Sequence, residues 1–202
     1  MSKKKTQDKR RHRTSQKESH QRKKIAEQQL SDVGLCLSDD LCVIGVILND
    51  LTISHLTYAC LNSINKMCEQ YVGLDWHIFV EYPTRPCIQP DCAVGEIKDV
   101  LCWRNPLIAT NLSTCAYALN SSSKHIYYYA FDIEFLNEYE LPWEVIAKCF
   151  TDPRVTVVTR CMDHKRLIED EFGISVSDVI VEEFDLVSLS RLIMKDVKNV
   201  SD

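Results

Sequence analysis

Two carboxylates close the most strand-like stretch of the chain: HIYYYAF (125–131) runs straight into Asp132 and Glu134. On an extended chain a two-residue offset points both side chains to one side, so the pair forms either a ligand site or simply the place where a strand meets water. Other apolar runs also end in polar residues. Asn49 and Asp50 follow CVIGVIL (42–48), Thr110 and Asn111 close LIAT (107–110), Arg160 ends RVTVVTR (154–160), and Glu182 and Glu183 lie in DVIVEEF (178–184). Together they make a polar rim rich in acid. Cys161 and His164 have a spacing common among metal ligands, but no C-x-x-C pair accompanies them, and the strong structural-zinc signal is absent. They read as a buried Cys ending a strand and a solvated His opening a helix.

Several chemistries are excluded by missing motifs. No G-x-G-x-x-G follows the first strand and no G-x-x-x-x-G-K-[ST] occurs in a chain with five glycines, which argues against a dinucleotide oxidoreductase and a P-loop enzyme. There is no G-x-S-x-G nucleophile elbow. A receiver domain is set aside because the late strand ends in Arg160 where a lysine is expected.

The rim needs a scaffold, and the chain alternates between two kinds of segment that supply one. CVIGVIL is a continuous apolar, β-branched run of the kind buried on both faces of a parallel sheet. LTISHLTYACLNSINKMCEQY (51–71) follows with Ile53, Leu56, Cys60, Ile64, Met67, Cys68 and Tyr71 at helical spacing. WHIFVEY (76–82) is the next strand, and the two prolines of TRPCIQPDC (84–92) exclude regular structure there. DVLCW (99–103) and LIAT are short strand candidates, 111–120 is a short helix, and HIYYYAF is a strand. Pro142 opens a helix through Ile146, Cys149 and Phe150. RVTVVTR is a strand, Asp163 caps a helix that Gly173 stops, DVIVEEF is a strand, and Asp185 caps a last helix. That helix turns Leu189, Ile193 and Val197 inward and carries Arg191, Lys195 and Lys198 toward its negative end. The alternation specifies a Rossmann-like α/β domain over 39–202, with a mostly parallel sheet and flanking helices. In such a sheet ligands bind outside the carboxyl ends of the strands, where the strand order switches.

Charge divides the chain. Residues 1–24 hold eleven Lys and Arg against two acids, net +9, whereas the remainder holds 13 against 27, net −14. The arm has no aliphatic or aromatic residue after Met1, so residues 1–38 are expected to be a disordered basic arm and connector, with nucleic acid or an acidic partner as the arm's target. At 202 residues with 45% hydrophobic content the chain can bury one sizeable core. Its longest apolar runs fall well short of the roughly 20 residues that cross a bilayer, and no h-region follows the basic start. The ten cysteines sit largely at apolar positions. These features lead us to expect a cytoplasmic protein with reduced thiols and no membrane contact.

The stretches VIGVILNDLTISHLTYACLNSIN (43–65), LIATNLSTCAYALNSSSKHIYYYAFDIEFL (107–136) and VTVVTRCMDHKRLIEDEFGISVSDVIVEEFDLVSLSRLI (155–193) together resemble one Rossmann-like half of a two-domain, GT-B type glycosyltransferase, in the reduced form found in small proteins of tailed phages. The resemblance implies transfer of a sugar from a nucleotide sugar to a nucleic-acid or glycan acceptor, in the host cytoplasm. It makes Asp132 or Glu134 a general base on the acceptor hydroxyl, or holders of a divalent metal, and makes Arg160 the counter-charge to the leaving diphosphate. Asn49, Asp50, Thr110, Asn111 and Glu182 become substrate-binding residues. A full enzyme of that class closes two halves over the donor, and this chain holds one, so the activity implied needs a dimer or partner chain. The competing expectation is a non-catalytic α/β binding protein whose basic arm contacts nucleic acid or an acidic partner.

Overall fold

The computed structural model describes residues 42–71, 74–136 and 141–199, so the arm and connector expected over 1–38 lie outside the described residues. The elements are β1 (Cys42–Leu48), α1 (His55–Gln70), β2 (Leu74–Val80), β3 (Ala93–Glu96), β4 (Leu107–Ala109), α2 (Leu112–Ala118), β5 (Ile126–Ala130), α3 (Trp143–Thr151), β6 (Val155–Thr159), α4 (Met162–Phe172) and α5 (Leu186–Asn199). The strands form one sheet in the order β3-β2-β1-β4-β5-β6, and every pairing in it is parallel.

Both faces of the sheet are covered, which is why its strands read as unbroken apolar runs. Residues alternate between the two sides. Ile44, Val46, Leu48, Tyr127 and Tyr129 pack with Cys60, Ile64 and Met67 of α1 and Leu189 and Ile193 of α5. Ile47, Leu107, Ala109, Tyr128 and Ala130 pack with Cys115 of α2, Ile146, Cys149 and Phe150 of α3 and Ile168 of α4. Gly45 lets β1 approach its neighbours closely: a Cβ there would stand 2.7 Å from the Leu107 side chain and 3.0 Å from Phe79.

Helix ends follow local chemistry. The Ser54 side chain accepts from the Thr57 N–H and caps α1. Gly173 ends α4 in the left-handed conformation at φ 63°. The Asp185 carboxylate accepts from the Val187 N–H at 3.0 Å and the Ser188 hydroxyl at 2.6 Å, opening α5. Val197 is partly buried against the core, and Arg191 and Lys195 are exposed. The side chain of Lys198 lies outside the described residues.

Other expectations are corrected. DVIVEEF is no strand: Ile180 makes one parallel bridge to Thr159, and the chain then turns into a 3₁₀ helix over Glu182–Phe184. Glu183 and Phe184 both have positive φ, 47° and 58°, which an extended strand cannot contain. DVLCW belongs to a 3₁₀ helix, Ile97–Cys102, that buries Ile97 and Val100. Residues 84–92 hold no helix or strand, as their two prolines imply, and strand β3 begins directly after them at the sheet edge. Ile53 is 82% exposed, because it precedes the Ser54 cap and so lies outside the helical stripe. Asp163 stands inside the first turn of α4, whose N-cap is Cys161, and Pro142 is the N-cap of α3. Cys161 and His164 are both partly buried. The eight cysteines from Cys60 to Cys161 are all free thiols. Among the described residues no helix is long and apolar enough to cross a membrane.

Candidate functional site

The strand order reverses between β1 and β4, and in open parallel sheets the rim at such a switch is where ligands bind. Four of the residues expected there are largely engaged in building it. The Thr110 hydroxyl donates to the Ile47 carbonyl at 2.8 Å and its N–H donates to the Thr114 hydroxyl at 2.9 Å. The Asn111 side chain accepts from the Thr114 N–H at 2.8 Å, and the Thr114 hydroxyl accepts from the Asn111 N–H at 3.0 Å, a reciprocal box that starts α2. The Asn49 carbonyl accepts from the N–H groups of Glu81 and Tyr82, tying β1 to the end of β2, and leaves the Asn49 side chain exposed. Asp50 folds onto its own loop, its Oδ1 accepting from the Thr52 N–H at 2.7 Å.

The two acids of the opening motif diverge. Strand β5 ends at Ala130, and Glu134 begins a 3₁₀ helix, so the extended geometry that would align them is missing. Glu134 reaches toward β4 and accepts the Leu112 N–H at 2.8 Å at the start of α2. Burial pushes its carboxyl up to about 6, with the neighbouring Asp132 charge adding to the rise and the Leu112 bond opposing it. Asp132 reaches the other way, toward β6. Its side chain is 63% exposed, and its Oδ1 lies 3.9 Å from the Arg160 guanidinium, a loose pair that adds little stability.

Arg160 sits just past the end of β6 with its guanidinium over the Phe131 ring, 4.7 Å from the centroid. The same ring forms a T-shaped contact with His55, the first residue of α1, at 5.3 Å and 80°. His55 Nε2 lies 2.7 Å from Glu183 Oε2. One phenyl ring thus has a guanidinium over its face and an imidazole set across it, each paired with a carboxylate. Glu182, expected at a strand end, is exposed on the 3₁₀ helix beside Glu183.

Sequence reading missed His55 and Phe131 as site residues. Ser54 signals that a helix begins at His55, but no local pattern pairs it with a residue 128 positions away. Asp132 and Arg160 are brought together, Glu134 stands near Asp132, and Thr110 and Asn111 brace the adjoining turn. Among the described residues no group of three or more His, Cys, Asp and Glu could hold a metal ion. The arrangement can offset a phosphate charge through Arg160, hydrogen-bond a hydroxyl through Asp132, and exchange a proton at His55 or at Glu134. No protein-family model matches the chain, and the search of curated proteins finds no match.

Proposed function

We propose that the protein is a glycosyltransferase-like domain that takes a nucleotide sugar at the carboxyl edge of its sheet. Transfer to a nucleic-acid or glycan acceptor then requires a second half, from another copy or a partner chain. One observation carries this reading: past the neighbouring ends of β5 and β6, the exposed Asp132 pairs with the half-exposed Arg160, whose guanidinium lies over Phe131, near Glu134 with its raised pKa. An arginine suits a diphosphate and an exposed carboxylate suits sugar hydroxyls, and a carboxyl perturbed by burial at the rim of the sheet marks a functional-site candidate. Arg160 offsets the diphosphate, Asp132 hydrogen-bonds a hydroxyl, and Glu134 braces the turn that carries Thr110 and Asn111.

A second reading, a non-catalytic binding protein, is favoured by the engagement of Thr110, Asn111 and Glu134 in local structure. Thermal-shift titration with a panel of nucleotide sugars separates the two. A ligand at 100 times its Kd adds about 2.7 kcal/mol of stability. Arg160→Ala should abolish the response, and Asp132→Asn should weaken it with the melting temperature of the free protein unchanged. No response to any member of the panel, with or without Mg²⁺ or Mn²⁺, favours the binding protein.

A further inference from the structure

The outer face of α3 presents an indole to solvent. Trp143, the first residue of the helix, is 50% exposed, yet its ring is fixed. It stacks on Phe172 at 5.6 Å and 18°, and Phe172 stacks in turn on Phe150 at 4.0 Å and 16°. The inner stripe of the helix, Ile146, Cys149 and Phe150, is buried against the sheet. Behind Trp143, at four-residue spacing on the outer side, come the small Ala147 and the exposed Thr151. Leu136, 64% exposed, extends the apolar surface, because the adjoining Phe135 meets Phe172 at 5.1 Å. An aromatic side chain already held in place loses little freedom when a partner covers it, and tryptophan is enriched among the residues that anchor interfaces.

We propose that α3 pairs antiparallel with α3 of a second copy of this chain, across a two-fold axis near Ala147. The charges beside the stripe select that occupant. Glu144 and Lys148 are both exposed and stand one helical turn apart. Arg154 donates to Asp152, a turn further on, at 3.0 Å, so Lys148 can turn to a carboxylate from outside. A row that runs from acid to base is its own complement when reversed. Laid antiparallel, Glu144 faces the partner's Lys148 and Lys148 faces the partner's Glu144, the isologous contact of a closed two-fold pair. Ala147 at the centre lets the two helix axes approach to the roughly 8–10 Å of packed helices. Nine residues of helix make a small interface, so the dimer is a weak one, with a Kd of about 1–100 µM. The two-fold axis reverses the helix and with it the strands, which turns the carboxyl rims of the two sheets to opposite ends. The pairing therefore does not supply the second half that sugar transfer requires, and it stands independently of that reading.

Sedimentation velocity on the full chain across a concentration series tests this. The average mass should rise from one chain toward two, and added salt should weaken the association. Ala147→Arg sets a long side chain on the axis and should abolish the dimer. Glu144→Lys and Lys148→Glu each place like charges opposite one another and should raise Kd about tenfold or more, whereas the two changes together restore the complement and should return Kd to within about threefold of the original. Circular dichroism checks that the variants fold. A chain that stays monomeric at every concentration overturns the pairing and leaves the face to a different partner. A dimer that survives Ala147→Arg overturns it as well, since the contact then lies elsewhere, and so does a double variant that associates no more tightly than the single ones.

Discussion

Glu134→Gln should stabilise the protein at alkaline pH and leave it nearly unchanged at acid pH. The carboxyl moves from an ordinary 4.5 to about 6 in the fold, chiefly through burial. Between those values the folded protein keeps a proton that the unfolded chain releases, so stability falls as pH rises from 4.5 through 6. The contribution is fully present below 4.5 and lost above 6. A shift of that size corresponds to about 2 kcal/mol, and solvent at the rim reduces it to about 1–2 kcal/mol. Glutamine keeps an oxygen to accept the Leu112 N–H but cannot ionise, so it avoids the cost of a buried charge. At pH 8 the variant should therefore gain about 1–2 kcal/mol, roughly 3–6 °C in Tm for a domain of this size, and the gain should vanish near pH 4.5. Urea unfolding of both proteins across pH 4.5 to 8 measures it. The argument is refuted if the variant is less stable at pH 8, which would mean that the charge at the start of α2 stabilises more than its burial costs. A gain that does not change with pH would refute it equally.

Tyr129→Phe removes the hydroxyl that pins the left-handed turn, and should cost about 1–3 kcal/mol in urea unfolding because a buried carbonyl and a buried N–H lose their partner. The ten cysteines should all be alkylated in denaturant without reductant, as counted by mass spectrometry. In the folded protein Cys102, which is exposed, should react before Cys60 and Cys115, whose burial raises their thiols well above the ordinary range. Deleting residues 1–24 should leave the melting temperature unchanged and abolish binding to DNA in a low-salt gel shift, because the remainder carries −14; retained binding would place the nucleic-acid contact on the α/β body.

Much of the scaffold was legible because its signals are local. An apolar, β-branched run such as 42–48 can satisfy its side chains only when both faces are covered, and the stripe through Cys60, Ile64 and Met67 can be buried only as a helix. The strand appears at Cys42–Leu48, as read, and the helix at His55–Gln70, a few residues inside the expected segment. The rim was legible to the same degree, since residues past strand ends must turn polar as they reach solvent. The misses share a cause. In 178–184 the β-branched pattern favours a strand, yet the Tyr129 hydroxyl and the burial of Phe184 impose a left-handed turn, a tertiary contact outweighing local preference. Strand β3 forms because β2 offers an edge to pair with, and four residues of weak strand character do not announce that.

The sequence by itself determined the class of fold, the burial of both sheet faces and the acidic character of the rim, all of which depend on composition and period. Tertiary structure alone decided the strand order that reverses between β1 and β4, the divergence of Asp132 toward Arg160 and Glu134 toward Leu112, and the meeting of His55 with Glu183. Strand order and side-chain pairing across 128 positions arise from packing between segments distant in the chain, and such packing leaves no periodic trace along it.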